Sequence, residues 1–151
     1  MDTQKKYTTK NFKATQSLGQ RLASDTLAKK PAISAVVLAL KGDLGSGKTT
    51  FLQGFAKGLG IKEKILSPTF IVMKRFMIYD LRFKNFYHID CYRLKDEKDL
   101  EALGIKEIIS NPENIIAIEW PEKLEDILPK NKNSIQFNYI DETTREITFK
   151  G

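Results

Sequence analysis

Apolar residues along this chain follow two different periods, and the changes of period mark its elements. Residues 33–40, I-S-A-V-V-L-A-L, form an almost unbroken apolar and β-branched run. So short a run with so little polar alternation predicts a strand buried on both faces of a parallel sheet. Residues 114–119, N-I-I-A-I-E, predict a second strand of this kind. Leu18, Leu22, Ala23 and Leu27 recur at helical spacing, which predicts a helix from Thr15 to Lys30 ended by Pro31. Thr49 to Leu59 predicts another, with Gly58 or Gly60 near its end. Residues 71–79 and 85–90 read as strands around a turn at D-L-R-F-K-N. Short helices are expected over Asp96–Leu103, stopped by Gly104, and over Pro121–Leu128, closed by Pro129. The tail, S-I-Q-F-N-Y-I and R-E-I-T-F-K, alternates with period two around D-E-T-T and predicts a hairpin with one wet face. Residues 1–14 are polar and lysine-rich, an arm or a first edge strand. Strand and helix alternate without repeat or linker, so residues 1–151 are expected to form one α/β domain. Its expected core is a mixed, mostly parallel central sheet with flanking helices and a C-terminal β-hairpin.

Composition narrows the class. A chain of 151 residues that is 41% hydrophobic and 29% charged suits one globular domain. No apolar run approaches the roughly 18 residues that cross a bilayer, and the first ten residues hold no apolar h-region. Cys91 is the single cysteine, so no disulfide forms within the chain. Together these features predict a cytoplasmic protein with no membrane partner. The formal charge is +6, with a pI near 9.3. The excess is scattered lysine, whereas arginine, the better planar phosphate and base reader, stands only at Arg21, Arg75, Arg82, Arg93 and Arg145. A DNA-binding surface is therefore not expected. Attraction to an acidic protein, or weak steering toward RNA, stays open.

Chemistry enters directly after the first apolar run. Gly42-Asp43-Leu44-Gly45-Ser46-Gly47-Lys48-Thr49 fits G-x-x-x-x-G-K-[ST], the phosphate-binding loop pattern. Glycines let such a loop reach positive φ and keep Cβ atoms off the phosphates. Successive backbone N–H groups then point inward as an anion nest, beside the positive end of the helix that follows. Lys48 can reach the β- and γ-phosphates, and the Thr49 hydroxyl can ligate Mg²⁺. A strand pattern before the motif and a helix pattern after it predict a P-loop NTPase-like domain.

The nucleotide is expected to be ATP, because a GTPase would carry D-x-x-G and N-K-x-D. Here Asp90-Cys91-Tyr92-Arg93 lacks the glycine, and Asn131-Lys132-Asn133-Ser134 lacks the aspartate. A small-molecule kinase usually brings several lid arginines, whereas after Arg93 only Arg145 remains, inside the predicted hairpin. Three apolar runs end in a carboxylate that could orient Mg²⁺: Asp80, Asp90 and Glu119. Asp80 lies in a hairpin turn and reads as a turn residue. Glu119 follows the most apolar strand, and Asp90 is either an acid of the site or a cap. In Ser67-Pro68-Thr69-Phe70, Thr69 is either part of a plain turn or a switch residue sensing γ-phosphate. His88, the single histidine, reads as structural rather than as a general base.

The blocks G-D-L-G-S-G-K-T-T-F, S-P-T-F, Y-H-I-D-C-Y-R-L and I-E-W-P-E-K, in this order, resemble the signature of the bacterial TsaE (YjeE) family, and A-T-Q-S-L-G-Q-R-L-A is similar to its opening helix. The resemblance spans roughly residues 14–128. It implies a small ATPase that supports formation of threonylcarbamoyladenosine beside the anticodon of tRNAs reading codons that begin with A. It implies TsaB- and TsaD-like partners, with tRNA met through their complex. Carried over residue by residue, Gly42 to Thr50 (Gly42, Asp43, Leu44, Gly45, Ser46, Gly47, Lys48, Thr49 and Thr50) would bind ATP. Thr49 and Glu119 would hold Mg²⁺, and Thr69 would be switch-I-like. Asp90 would be the switch-II-like catalytic or metal-linked acid, and Trp120 would lie beside the site. Cys91 departs from the family's usual larger apolar residue. No arginine finger is expected from the chain itself, so the ATPase should be slow alone and helped by partners. The rival readings are a small-molecule kinase and a non-enzymatic ATP-sensing scaffold of the same complex.

Overall fold

The computed structural model describes residues 4–66, 72–94 and 98–151. Its elements run β1 (Gln4–Thr9), α1 (Phe12–Leu27), β2 (Val36–Lys41), α2 (Lys48–Gly58), β3 (Met73–Met77), β4 (Asn85–Asp90) and α3 (Lys98–Glu101). There follow α4 (Ile105–Ser110), β5 (Asn114–Glu119), a 3₁₀ turn over Pro121–Leu124, β6 (Asn133–Tyr139) and β7 (Arg145–Lys150). The strands join one seven-stranded sheet in the order β1-β7-β6-β2-β5-β4-β3. The middle is parallel: β5 pairs with β2 and β4, and β6 runs parallel along the other side of β2. The outer pairs, β3 with β4, β6 with β7 and β1 with β7, are antiparallel.

The two apolar runs become the central strands because both of their faces are covered. Leu38, Leu40, Ile115 and Ala117 point to one face, where Phe51, Leu52 and Phe55 of α2 and Leu18 and Ala23 of α1 complete a core. Val37, Ile116 and Ile118 point to the other face, against Ile105, Leu124 and Leu128. Every residue of β5 is buried, the condition in which a strand loses its polar alternation. The C-terminal hairpin keeps that alternation, with Ile135, Phe137 and Ile147 inside and Gln136 outside.

Several boundaries differ from the expected ones, each for a local reason. Helix α1 begins at Phe12, because the Asn11 side chain accepts the Ala14 N–H at 2.8 Å and caps it. It ends at Leu27, before Pro31, and Arg82 from the β3–β4 turn donates to the Leu27 carbonyl at 3.1 Å and to that of Lys29. Strand β2 starts at Val36; Ile33 is 95% exposed, so the apolar run began on the surface. Gly104, expected to stop a helix, stands at φ +76° and opens α4, which composition had not signalled. The segment after Trp120 makes a single 3₁₀ turn rather than a helix to Leu128. Residues 1–14 do supply an edge strand, β1. Asp80 sits in its turn, accepting the N–H groups of Arg82 and Phe83 at 3.0 and 3.2 Å.

Helices α1 and α2 touch backbone to backbone. A Cβ placed on Gly54 would lie 1.8 Å from the Gln16 carbonyl oxygen, and one on Gly19 would lie 2.1 Å from that of Phe51. Replacing Gly54 by alanine gains at most about 1 kcal/mol of helix propensity. Overpacking costs roughly 1–3 kcal/mol even where side chains can yield, and here the obstacle is backbone. Gly54→Ala is therefore expected to lower stability by about 2 kcal/mol or more, read as a lowered denaturation midpoint. A midpoint at or above that of the parent would show that the helices separate freely.

Candidate functional site

The loop from β2 to α2 is shaped by three glycines at positive φ: Gly42 at 151°, Gly45 at 79° and Gly47 at 104°. Gly47 is the N-cap of α2 in the left-handed region, and no side chain caps the helix start. Nor does an acidic residue stand in the first turn of α2. The positive end of a helix is thus left open toward a cavity of about 500 Å³. Gly45, Ser46, Gly47, Lys48, Thr49 and Thr50 line it. The Ser46 hydroxyl is buried without a hydrogen-bond partner among the described residues. A buried polar group without a partner costs about 1–3 kcal/mol, so this loop holds a donor awaiting an acceptor.

The opposite wall comes from the ends of β4 and β5. Parallel pairing sets Glu119 beside Leu40 on one side and beside Asp90 on the other. Both acids line the cavity, with Tyr92, Arg93 and Trp120. Glu119 is buried and joined to His88, with Oε2 and Nε2 2.6 Å apart. His88 therefore fixes the carboxylate rather than facing the cavity as a base. Burial raises the Asp90 carboxyl above its ordinary value; the Tyr92 N–H, donating to Oδ1 at 2.9 Å, lowers it, and the Glu119 charge raises it again. Burial holds the Lys48 ammonium below its ordinary value, against the attraction of Glu119, Asp90, Glu122 and Asp43. Nζ of Lys48 donates to the Gly42 carbonyl and rests 4.0 Å from the centre of the Trp120 ring. Trp120 stands at φ 57°, the one positive φ outside glycine among the described residues. That strained backbone turns its ring over Lys48 and against Tyr92, 5.0 Å between ring centres. Cys91 is buried and its thiol is pushed up to about 12, which removes it as a nucleophile.

The sequence profile of the family described as "Threonylcarbamoyl adenosine biosynthesis protein TsaE" matches residues 9–147. The chain belongs to the TsaE family. A Bacillus subtilis relative named "tRNA threonylcarbamoyladenosine biosynthesis protein TsaE" is 42% identical over 113 residues, 75% of this chain and 68% of that protein. The Haemophilus influenzae protein of the same name is 36% identical over 124 residues, 82% of this chain and 75% of that one. The crystal structure of Bacillus subtilis YdiB aligns with a TM-score of 0.77 and 32% identity, over 100% of this chain and 87% of that one.

In this TsaE chain the residues singled out from sequence do converge: Leu44, Gly45 to Thr50, Asp90, Glu119 and Trp120 share the cavity, with Gly42 behind it in contact with Lys48. Asp43 contributes the carbonyl that accepts the Ser46 N–H at 3.1 Å. Thr69 and the rest of S-P-T-F lie outside the described residues. Among the described residues no three His, Cys, Asp or Glu side chains form a ready-made metal cluster. Thr49, Asp90 and Glu119 instead offer a hydroxyl and two carboxylates around an open space, which suits an ion that keeps water and phosphate oxygens as ligands.

Sequence reasoning missed the third wall. Asn11, Phe12 and Thr15 reach the cavity from the start of α1, and Glu142, Thr143 and Arg145 from the β6–β7 turn. No arginine finger was expected from the chain; Arg93, close to Asp90 in sequence, and Arg145, from the final hairpin, both line the cavity. The reason is topological: β6 runs parallel beside β2, so its far end emerges at the edge that carries the loop. Only the helix cap at Asn11 left a trace in the sequence.

The raised Asp90 carboxyl has a consequence for stability. Its ionised form opposes folding above the raised value, and the opposition fades as pH falls into the ordinary carboxylate range. Asp90→Asn is thus expected to melt higher than the parent at about pH 7.5, with the gap closing toward about pH 4. Thermal denaturation at the two pH values checks this; a variant that melts lower at the higher pH would refute it.

Proposed function

We propose that this TsaE-family protein is a P-loop NTPase-like, Mg²⁺-dependent ATPase. Its role is to support formation of threonylcarbamoyladenosine beside the anticodon of tRNAs reading codons that begin with A. It acts in the cytoplasm with TsaB- and TsaD-like proteins and meets tRNA through their complex. The supporting observation is the opposition of Gly42–Thr50, with an uncapped helix start and a buried lysine, to a wall holding Asp90 and Glu119.

In this reading Lys48 leaves the Gly42 carbonyl and the Trp120 ring for the β- and γ-phosphates, exchanging a poorly solvated position for an ion pair. The backbone amides of the loop and the Ser46 hydroxyl take phosphate oxygens. Thr49 and, directly or through water, Glu119 hold Mg²⁺, which when bound draws charge from the β- and γ-oxygens. His88 keeps Glu119 in place for that task. Asp90, poised by burial to accept a proton more readily than an ordinary carboxylate, orients the attacking water in line with the γ-phosphate. Thr69 senses that phosphate as a switch. Catalysis rests on positioning and charge, so turnover by the isolated protein is slow and rises on assembly with partners.

Lys48→Ala is expected to abolish nucleotide binding and tRNA modification together. Asp90→Asn is expected to bind ATP and fail to hydrolyse it, measured as phosphate release in the assembled complex. Parent-rate hydrolysis by Asp90→Asn would remove Asp90 from the chemistry. A non-hydrolysable ATP analogue that supports repeated rounds of modification would replace the ATPase with an ATP-sensing scaffold. Transfer of labelled phosphate to a small metabolite would make the protein a kinase.

A further inference from the structure

Arg145 is placed against the loop in a way that its own turn does not explain. It is the first residue of β7, and one nitrogen, Nη1, donates to the carbonyls of Asp141 at 2.6 Å and Thr144 at 3.0 Å. Its guanidinium lies 4.6 Å from the centre of the Tyr139 ring. Nε, by contrast, is buried and has no hydrogen-bond partner among the described residues. No ion pair joins Arg145 to a carboxylate among the described residues. A Cβ on Gly47 would lie 3.5 Å from its Cγ and 3.8 Å from its Nε, so the side chain passes over the N-cap of α2. A cation held at the positive end of a helix, with a desolvated N–H unmet, is unfavourable by itself. Both costs vanish when an anion lies between the guanidinium and the helix start.

We propose that Arg145 binds a phosphate oxygen of the nucleotide, at the end of the phosphate chain nearer the nucleoside. The inference rests on the ATP-binding reading above and adds to it a ligand-binding residue and an orientation. Asp90 and Glu119 stand at the ends of β4 and β5, on one side of β2. Arg145 arrives with β6 and β7 from the other side. If the acids face the reacting γ-phosphate, the arginine faces the opposite end of the triphosphate. The nucleoside then extends into the part of the cavity between the β6–β7 turn and the start of α1, where Thr143, Asn11 and Phe12 form the walls. Phe12 is 63% exposed there, an aromatic face available to a base.

An arginine at this end holds substrate and product alike, because both ADP and ATP keep the phosphates nearest the nucleoside. Arg145→Gln is therefore expected to weaken ADP and ATP binding by about the same factor, roughly 10- to 100-fold for a lost charge-assisted contact, and to leave kcat at saturating ATP within about twofold. Titration calorimetry with ADP and with ATP, paired with steady-state hydrolysis by the assembled complex, reads both. Unchanged ADP affinity overturns the inference, as does a loss of kcat with unchanged affinity, which would move Arg145 to the reacting phosphate. A role in the turn alone would lower the melting temperature of the nucleotide-free protein and leave ADP affinity intact, which also overturns it. Should Arg145→Gln fail to fold, Arg145→Met keeps an apolar stem over Gly47 and removes the charge; parent-like ADP binding by it overturns the inference too. Absence of ADP binding by the parent protein would instead refute the ATP-binding reading itself.

Discussion

Burying β2 and β5 on both faces is the constraint from which the rest of this structure follows. Apolar strands without a wet face are stable only inside a sheet covered on both sides, and there they lie parallel. Parallel strands end at the same edge. The edge where β2, β4, β5 and β6 end is therefore where the glycine loop, Asp90, Glu119 and the β6–β7 turn meet. Register sharpens the result: Glu119 stands opposite Leu40 and opposite Asp90 at once. A slip of one residue along β5 would turn Glu119 to the other face of the sheet and break up both cores.

Charge is concentrated at that edge at some cost to the fold. Lys48, His88 and Glu119 are all buried, and Asp90 is half-buried. Desolvation pulls Lys48 down and Asp90 up, so each is held in a form that a nearby charge could relieve. Among the described residues the Ser46 hydroxyl and the Arg145 Nε–H are buried without partners, and Trp120 holds a left-handed backbone. Strain and unmet polar groups gather here, as they do where a fold holds polar groups ready for a ligand instead of satisfying them internally. Away from the cavity the Asp80 side chain is satisfied by its own turn, and the helix pair is locked by Gly19 and Gly54.

The glycine loop, the buried strand 114–119, the final hairpin and the turn at Asp80 were all legible in the residues themselves. Each is a local pattern whose physics lies within a few positions: glycine conformations, period, or a short side chain bonding its own backbone. The start of α1 was set by one hydrogen bond from Asn11, which the apolar spacing does not report. Ile33 lies outside β2 because an apolar residue joins a strand only where the sheet reaches it. Helix α4 was hidden because Gly104, read as a stop, is also the residue that starts the next helix.

What the residue order determined alone is the chemistry on offer: a glycine-rich loop between a strand and a helix, a lysine, a threonine and carboxylates at the ends of apolar runs. The family membership also rests on that order, since it is a matter of blocks in sequence. Tertiary structure alone decided which carboxylates face the loop, that His88 is bound to Glu119, and that Arg145 reaches Gly47 from a hairpin nearly a hundred residues away. Strand neighbours and register arise from how whole faces are buried together, and no short stretch of sequence holds that information.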